Sequence, residues 1–229
     1  MGAFDRKIRL SYPWRFVAVG FIVIFLMFGT RFSFGLYIKA LADNFGASRA
    51  SISFSQSLYM ITYAVVALMA GSIADRIGPK RVLIVGAFFL AGGILLGGSI
   101  NSVWQYYFSY GVIAAIGSGA LYVPVVGAVS KLFTRRRNLA LALAASGAGI
   151  GQYVIPPLME TIIESHGWQA SFYVLGLLIL AGGVGVPWAL LRGGAVREEM
   201  GSGPAESAES RRAGLKGDSG HYSLRQALS

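Results

Sequence analysis

The stretch GSIADRIGPKRV, Gly71–Val82, is a short charged interruption in an otherwise apolar part of the chain. Asp75, Arg76, Lys80 and Arg81 stand close together in it, and an apolar run of about twenty residues lies on either side, the length a helix needs to cross a bilayer core about 30 Å thick. Lys80 and Arg81 suit a cytoplasmic turn between two membrane helices, because such turns collect lysine and arginine. Gly78–Pro79 suits a tight reversal. Asp75 is harder to place. It falls where the first of the two helices ends, a position at which the helix dipole disfavours an acid, so it needs a partner such as a neighbouring arginine or the N-terminus of another helix.

On both sides of this stretch lie apolar segments of spanning length, six in all, at residues 14–38, 52–73, 82–100, 103–132, 139–162 and 170–191. Backbone polar groups in lipid must be bonded within their own segment, which makes each stretch a helix. Barrel strands are half as long and alternate in polarity, and these do not. The expected fold is therefore an all-α membrane protein with six transmembrane helices. The boundaries are a cytoplasmic N-terminus at 1–13, a six-helix bundle at 14–191 and a disordered cytoplasmic linker or tail at 192–229. The tail is rich in Gly, Ser, Ala, Glu and Arg and poor in large apolar residues.

Composition agrees. Of 229 residues 55% are hydrophobic and only 13% charged, with a mean hydropathy of +0.59. A soluble domain carries about 25% charged residues. The net charge of +10 invites a nucleic-acid reading, but the positions of the charges answer it. Of the 20 lysines and arginines, all but Arg31, Lys39 and Arg49 fall on the same side of the six spans as the N-terminus. The positive-inside rule makes that side cytoplasmic, in a cell or inner membrane, and accounts for the charge without nucleic acid. The chain has no cysteine, so disulfide, thiol and CxxC metal chemistry are excluded. No metal and no cofactor is implied.

The motif G-S-I-A-D-R-I-G-P-K-R resembles the loop signature of the major facilitator superfamily between its second and third helices. Gly71, Asp75, Arg76, Gly78, Lys80 and Arg81 carry the match. The resemblance implies the N-terminal half of a twelve-helix carrier, a 3+3 inverted repeat, with Asp75 as the acid of a cytoplasmic latch between the two halves. KLFTRRRNLALALAASGAGIGQYVIPPL (residues 131–158), GWQASFYVLG (167–176) and FSFGLYIKALADNFGASRASIS (32–53) resemble the monocarboxylate transporters of that superfamily. The opening SYPWRF lacks the acidic-glycine-tryptophan start of animal members, which implies a bacterial-type relative. The function implied is alternating-access transport of a small organic anion such as a monocarboxylate. The chain would be a fragment, a split or a truncated form, with a C-terminal half or a second copy as partner besides the lipid bilayer.

Arg31 is the one unambiguous charge inside a span, and such residues are functional candidates. Its guanidinium could bind a carboxylate through two parallel bonds, or it could snorkel to the outer interface, and the sequence leaves both open. Tyr122, Ser146 and Gln152 are further substrate-binding candidates. For Tyr122 the resemblance adds that monocarboxylate transporters place a polar, substrate-facing residue on this part of helix four. Each of the three could equally bond within the bundle. Pro124, Pro156 and Pro157 interrupt backbone bonding and are hinge candidates. The glycines of helices three to five are expected to pack helices closely. Trp104, Tyr106 and Tyr107 are expected in an interfacial belt.

Two other functional classes compete with a carrier. An intramembrane serine protease would need Gly-x-Ser-Gly, but AIGSGA has Ile116 two residues before Ser118, and no histidine lies within a span. The chain is therefore not expected to be an enzyme. A non-transporting membrane subunit is the alternative to a carrier.

Overall fold

The computed structural model describes residues 12–133 and 136–190. The expected N-terminal segment, apart from its last residues, and the expected tail lie outside the described residues. Five helices are long and apolar enough to cross a membrane. They are α1 (Tyr12–Phe45), α2 (Arg49–Ile77), α3 (Pro79–Gly97), α4 (Val103–Leu132) and α5 (Arg137–Leu190). Among the described residues there is no strand.

The last helix explains why five long helices stand where six spans were expected. At 1.5 Å per residue a straight helix of 54 residues would run about 80 Å, far beyond a bilayer core. It is not straight. Gly167 has φ 84 and ψ 167, angles open to glycine and closed to other residues, and the chain turns there. The helix thus has a first arm, 137–166, and a second arm, 168–190. Pro124, Pro156 and Pro157 lie inside helices that continue through them. The break in α5 is made by a glycine's backbone freedom and not by a proline's missing N–H.

The gap between α2 and α3 is also shorter than the sequence suggested. A loop of about eight residues is expected there, but α2 runs to Ile77 and α3 begins at Pro79. Gly78 alone reverses the chain, with φ 92 and its N–H on the Ala74 carbonyl at 3.0 Å. Proline suits the next position because the first helical residue has no intrahelical use for an N–H. Asp75 and Arg76 therefore sit in the last turn of α2, and Lys80 and Arg81 in the first turn of α3. Asp75, Lys80 and Arg81 oppose the dipole of their helix, while Arg76, a cation at a helix C-terminus, agrees with it.

At the other end, Ser48 caps α2, accepting from the Ser51 N–H at 3.1 Å. Ser102 caps α4 by accepting from Gln105, whose own side chain accepts from the Asn101 N–H at 2.6 Å. These reciprocal bonds occupy backbone donors left over at a helix start.

Between helices in lipid, association comes from close packing, so small residues mark the contacts. A Cβ added at Gly147 or Gly151 of α5 would land on the carbonyl oxygens of Phe21 or Phe25 in α1. On α4, a Cβ at Gly117 would strike the backbone of Leu90 in α3, and one at Gly119 would meet the Tyr63 carbonyl of α2 at 2.8 Å. So α1 lies against the first arm of α5, and α4 is wedged between α2 and α3. Gly92 and Gly149 face open space and take no part. Two stretches, Tyr107–Ala114 in α4 and Leu180–Gly185 in α5, widen into π-helix, and both pack against α3.

Tyr106 departs from the interfacial expectation. It is fully buried, stacked on Tyr110 with ring centroids 5.3 Å apart and edge-on to Phe172. Trp104, by contrast, is 79% exposed. Adjacent residues on a helix point about 100° apart, so one turn can supply both the belt and the core.

The glycine contacts predict an asymmetric outcome for two neighbours on α5. Gly151→Val should destabilise the bundle by about 1–3 kcal/mol, since the added carbons must displace α1 backbone. Gly149→Ala should be neutral or stabilising by up to about 1 kcal/mol. Unfolding in mild detergent, followed by circular dichroism, measures both.

Candidate functional site

Arg31 lies on α1 and is half-buried. Its Nη2 donates to the Met60 sulfur at 3.2 Å, and its Cζ lies 5.8 Å from the centre of the Tyr63 ring. Both partners belong to α2, and Tyr63 is the middle residue of that helix. The guanidinium therefore turns inward onto the middle of a neighbouring helix. Its neighbours on α1 are self-satisfied: Thr30 Oγ1 donates to the Leu26 carbonyl at 2.7 Å and Ser33 Oγ to that of Gly29 at 2.8 Å. A thioether is a weak acceptor and a ring face offers only a quadrupole. Among the described residues no carboxylate lies within ion-pair distance of Arg31. A guanidinium carries five N–H donors, so most of this one's capacity stays open to an anion.

Polar residues of α2 and α4 surround this position. Tyr59, fully buried, donates to Ser118 Oγ at 2.5 Å and stacks parallel to Tyr63 with centroids 6.5 Å apart. Tyr110 donates to Gln56 Oε1 at 2.8 Å and stacks on Tyr59 at 4.9 Å. Tyr122 is half-buried and meets Phe28, one turn before Arg31, edge to face at 6.1 Å. Arg31 and Tyr122 thus fall in one neighbourhood of α1, α2 and α4. Gln152 is half-buried on the first arm of α5, beside Gly151, which touches α1 near Phe25 and Gly29. Ser146 is exposed on the same arm and bonds only within its own helix, donating to the Leu143 carbonyl at 2.8 Å.

Met60, Tyr59 and Tyr63 form the surroundings of Arg31, and the sequence did not single them out. The signal was present: Gln56, Tyr59, Met60 and Tyr63 recur at helical spacing in a segment otherwise rich in aliphatic residues.

At one end of the bundle Asp75 accepts a hydrogen bond from Lys131 Nζ at 2.6 Å, tying the last turn of α2 to the last turn of α4. The sequence suggested an arginine or a helix N-terminus, and within the described residues the partner is a lysine. Trp14 and Phe133 meet edge to face at 5.1 Å, which brings the start of α1 to the end of α4 as well.

Ser118, the nearest approach to a nucleophile in the sequence, is sealed in the core as the acceptor for Tyr59. His166, the one histidine among the described residues, hydrogen-bonds the adjacent Ser165. No group of three or more His, Cys, Asp or Glu residues among the described residues could hold a metal ion.

The family model of the Major Facilitator Superfamily matches residues 20–227. The chain belongs to the major facilitator superfamily. Within that superfamily it is similar to monocarboxylate transporters. It is 28% identical to monocarboxylate transporter 9 of Rattus norvegicus over 74% of this chain and 34% of the relative. It is 26% identical to monocarboxylate transporter 13 of the same species, over 74% of this chain and 40% of the relative. MFS-type transporter 1 of an Ophiocordyceps species is 28% identical, over 73% of this chain and 39% of the relative. The chain thus spans about a third to two fifths of the length of these relatives. The family match and the monocarboxylate transporters among its relatives indicate a transporter and not an enzyme.

The Asp75–Lys131 pair is more than half exposed on both side chains, and exposed ion pairs contribute about 0–1 kcal/mol. Asp75→Asn and Lys131→Gln should each lower unfolding stability by less than about 1 kcal/mol, and the double variant by no more than either alone. A double-mutant cycle by detergent unfolding checks this.

Proposed function

We propose that this bundle is one half of a secondary carrier for small organic anions, monocarboxylates foremost, with Arg31 as the group that holds the carboxylate. The observation that carries the proposal is the state of Arg31. It is a half-buried guanidinium beside the middle of α2, seated on sulfur and an aromatic ring, with no carboxylate partner among the described residues. Keeping such a group away from water is costly unless its charge is answered, and an arriving carboxylate answers it with two parallel hydrogen bonds. The monocarboxylate transporters among its relatives support that substrate class. Tyr122 is proposed to face the same anion, with Gln152 and Ser146 further along the path.

In this reading α5 crosses the membrane twice, turning at Gly167, which gives six crossings arranged three and three. Arg15, Arg76, Lys80, Arg81, Lys131, Arg136 and Arg137 then gather on one side, against Lys39 and Arg49 on the other, and the richer side is cytoplasmic. The exposed apolar side chains of α2, Ile61, Val65, Leu68 and Met69 among them, and of the first arm of α5, Leu143, Ile150 and Val154, meet lipid or a second bundle of the same kind. Alternating access is the rocking of those two halves around the anion. The segment with Gly71, Asp75, Arg76, Gly78, Lys80 and Arg81 serves as a cytoplasmic latch, and Pro124, Pro156 and Pro157 as points of flexure.

Uptake of labelled lactate and pyruvate into proteoliposomes tests the function. Saturable uptake with counterflow is expected, and Arg31→Gln should lower it about tenfold or more, the loss of a charge-assisted hydrogen bond of about 1.5–3 kcal/mol. Protein that moves no anion either by itself or with a second six-helix bundle co-reconstituted is instead a non-transporting subunit. The absence of native cysteine makes sidedness simple to measure. Single cysteines at Lys80 or Arg136 should resist an impermeant maleimide added outside intact cells, while cysteines at Ser99 or Glu164 should react. Labelling at Lys80 from outside would invert the topology.

A further inference from the structure

The motif AIGSGA, residues 115–120, has no role in the function proposed above, yet it is one of the most confined stretches of the bundle. Gly117 presses against the α3 backbone at Gly86 and Leu90, and Gly119 against α2 at the Tyr63 carbonyl and Val66. Ser118 lies between them with no exposure. Its Oγ accepts the Tyr59 hydroxyl at 2.5 Å. Tyr59 in turn stacks parallel to Tyr63, at an interplanar angle of 5°, and Tyr63 is the ring beneath the Arg31 guanidinium.

We propose that the Ser118–Tyr59 hydrogen bond, backed by Gly119, is a positioning clamp: it locks α4 to α2 behind the Tyr63 ring and so fixes where Arg31 presents its open donors. Neither residue touches Arg31 in the way Met60 and Tyr63 do; they act through Tyr63. Two constraints converge on that tyrosine. Gly119 holds its backbone from the α4 side, because no side chain separates the two helices there. Tyr59 supports its ring, and one hydroxyl bond to α4 sets the Tyr59 ring in place. An arginine on an unsupported ring would sample many rotamers, and long cationic side chains have much freedom to lose. A ring locked from behind removes that freedom before the anion arrives, which lowers the cost of binding. The clamp also explains why a serine stands between two glycines in the middle of α4: the glycines bring the backbones together, and the serine offers the short acceptor that the gap admits.

The functional consequence rests on Arg31 being the anion's seat, but the clamp itself can be tested without transport. In 15N-arginine-labelled full chain in nanodiscs, the Arg31 Nε–H signal is identified as the one missing from Arg31→Lys. Tyr59→Phe and Ser118→Ala should each raise its exchange with water about tenfold. The double variant should raise it no further, since both remove the same bond. Tyr37→Phe is the control. It removes a buried hydroxyl bond of similar kind, Tyr37 to Ser171 at 2.7 Å, away from the Arg31 seat, and should leave the Arg31 signal unchanged. Exchange in Ser118→Ala equal to wild type, or an equal rise in Tyr37→Phe, would overturn the clamp. In the transport arm, the lactate KM should rise about three- to tenfold in Tyr59→Phe with the maximal rate within about twofold. A fall in maximal rate alone would overturn positioning as the role. Wild-type protein that carries no lactate, also with a second six-helix bundle co-reconstituted, but shows the exchange pattern would refute the anion reading and leave the clamp standing.

Discussion

Backbone-to-backbone approach through glycine is the constraint on which the rest depends. Lipid tails are as apolar as leucine, so helices in a bilayer gain little by hiding leucines from it; what holds them together is close contact and a few hydrogen bonds. Here the contact is made at a small number of places. Gly147 and Gly151 admit the α1 backbone, and Gly117 and Gly119 admit α3 and α2 on opposite sides of α4. With those distances set, the buried hydroxyl bonds Tyr59–Ser118, Tyr110–Gln56 and Tyr37–Ser171 come within reach. They join α2 to α4 and α1 to the second arm of α5. A glycine replaced by a larger residue would separate the helices, and the polar bonds would lose their length with the packing.

That arrangement leaves one cation with unusual freedom. Most buried charges in proteins are answered by an opposite charge. Arg31 is answered by a thioether and a ring. In the carrier proposed above the difference matters: a carboxylate partner on the protein would compete with an anionic cargo, while a soft partner yields to it. Holding the guanidinium firmly without neutralising it is a task suited to aromatic and sulfur side chains.

Much of this was legible in the sequence. Long apolar runs reveal membrane helices because the bilayer imposes a length. The motif around Asp75 pointed to the superfamily that the family match bears out. What escaped the sequence was local backbone freedom and pairing across helices. The prolines drew attention as breaks, yet the turn in α5 falls at Gly167, where φ is positive. The loop around Asp75 looked eight residues long because charge marks it, yet the backbone needs only Gly78 to turn. Lys131 as the partner of Asp75, and Ser118 as the acceptor of Tyr59, join residues 56 and 59 positions apart, a separation at which no short-range pattern speaks.

The single-residue link at Gly78 gives α2 a mechanical character of its own. Tyr63 and Asp75 are twelve residues apart on one unbroken helix, about 18 Å along its axis. A small tilt of α2 about its middle, where the cation rests, becomes a displacement of several ångströms at the end that carries the acid. With no slack loop to absorb it, α3 must follow through Gly78. The rod is thus a lever whose fulcrum lies under the Arg31 guanidinium and whose tip is the contact with Lys131, so the middle of the helix and its end are joined by the stiffness of a single rod.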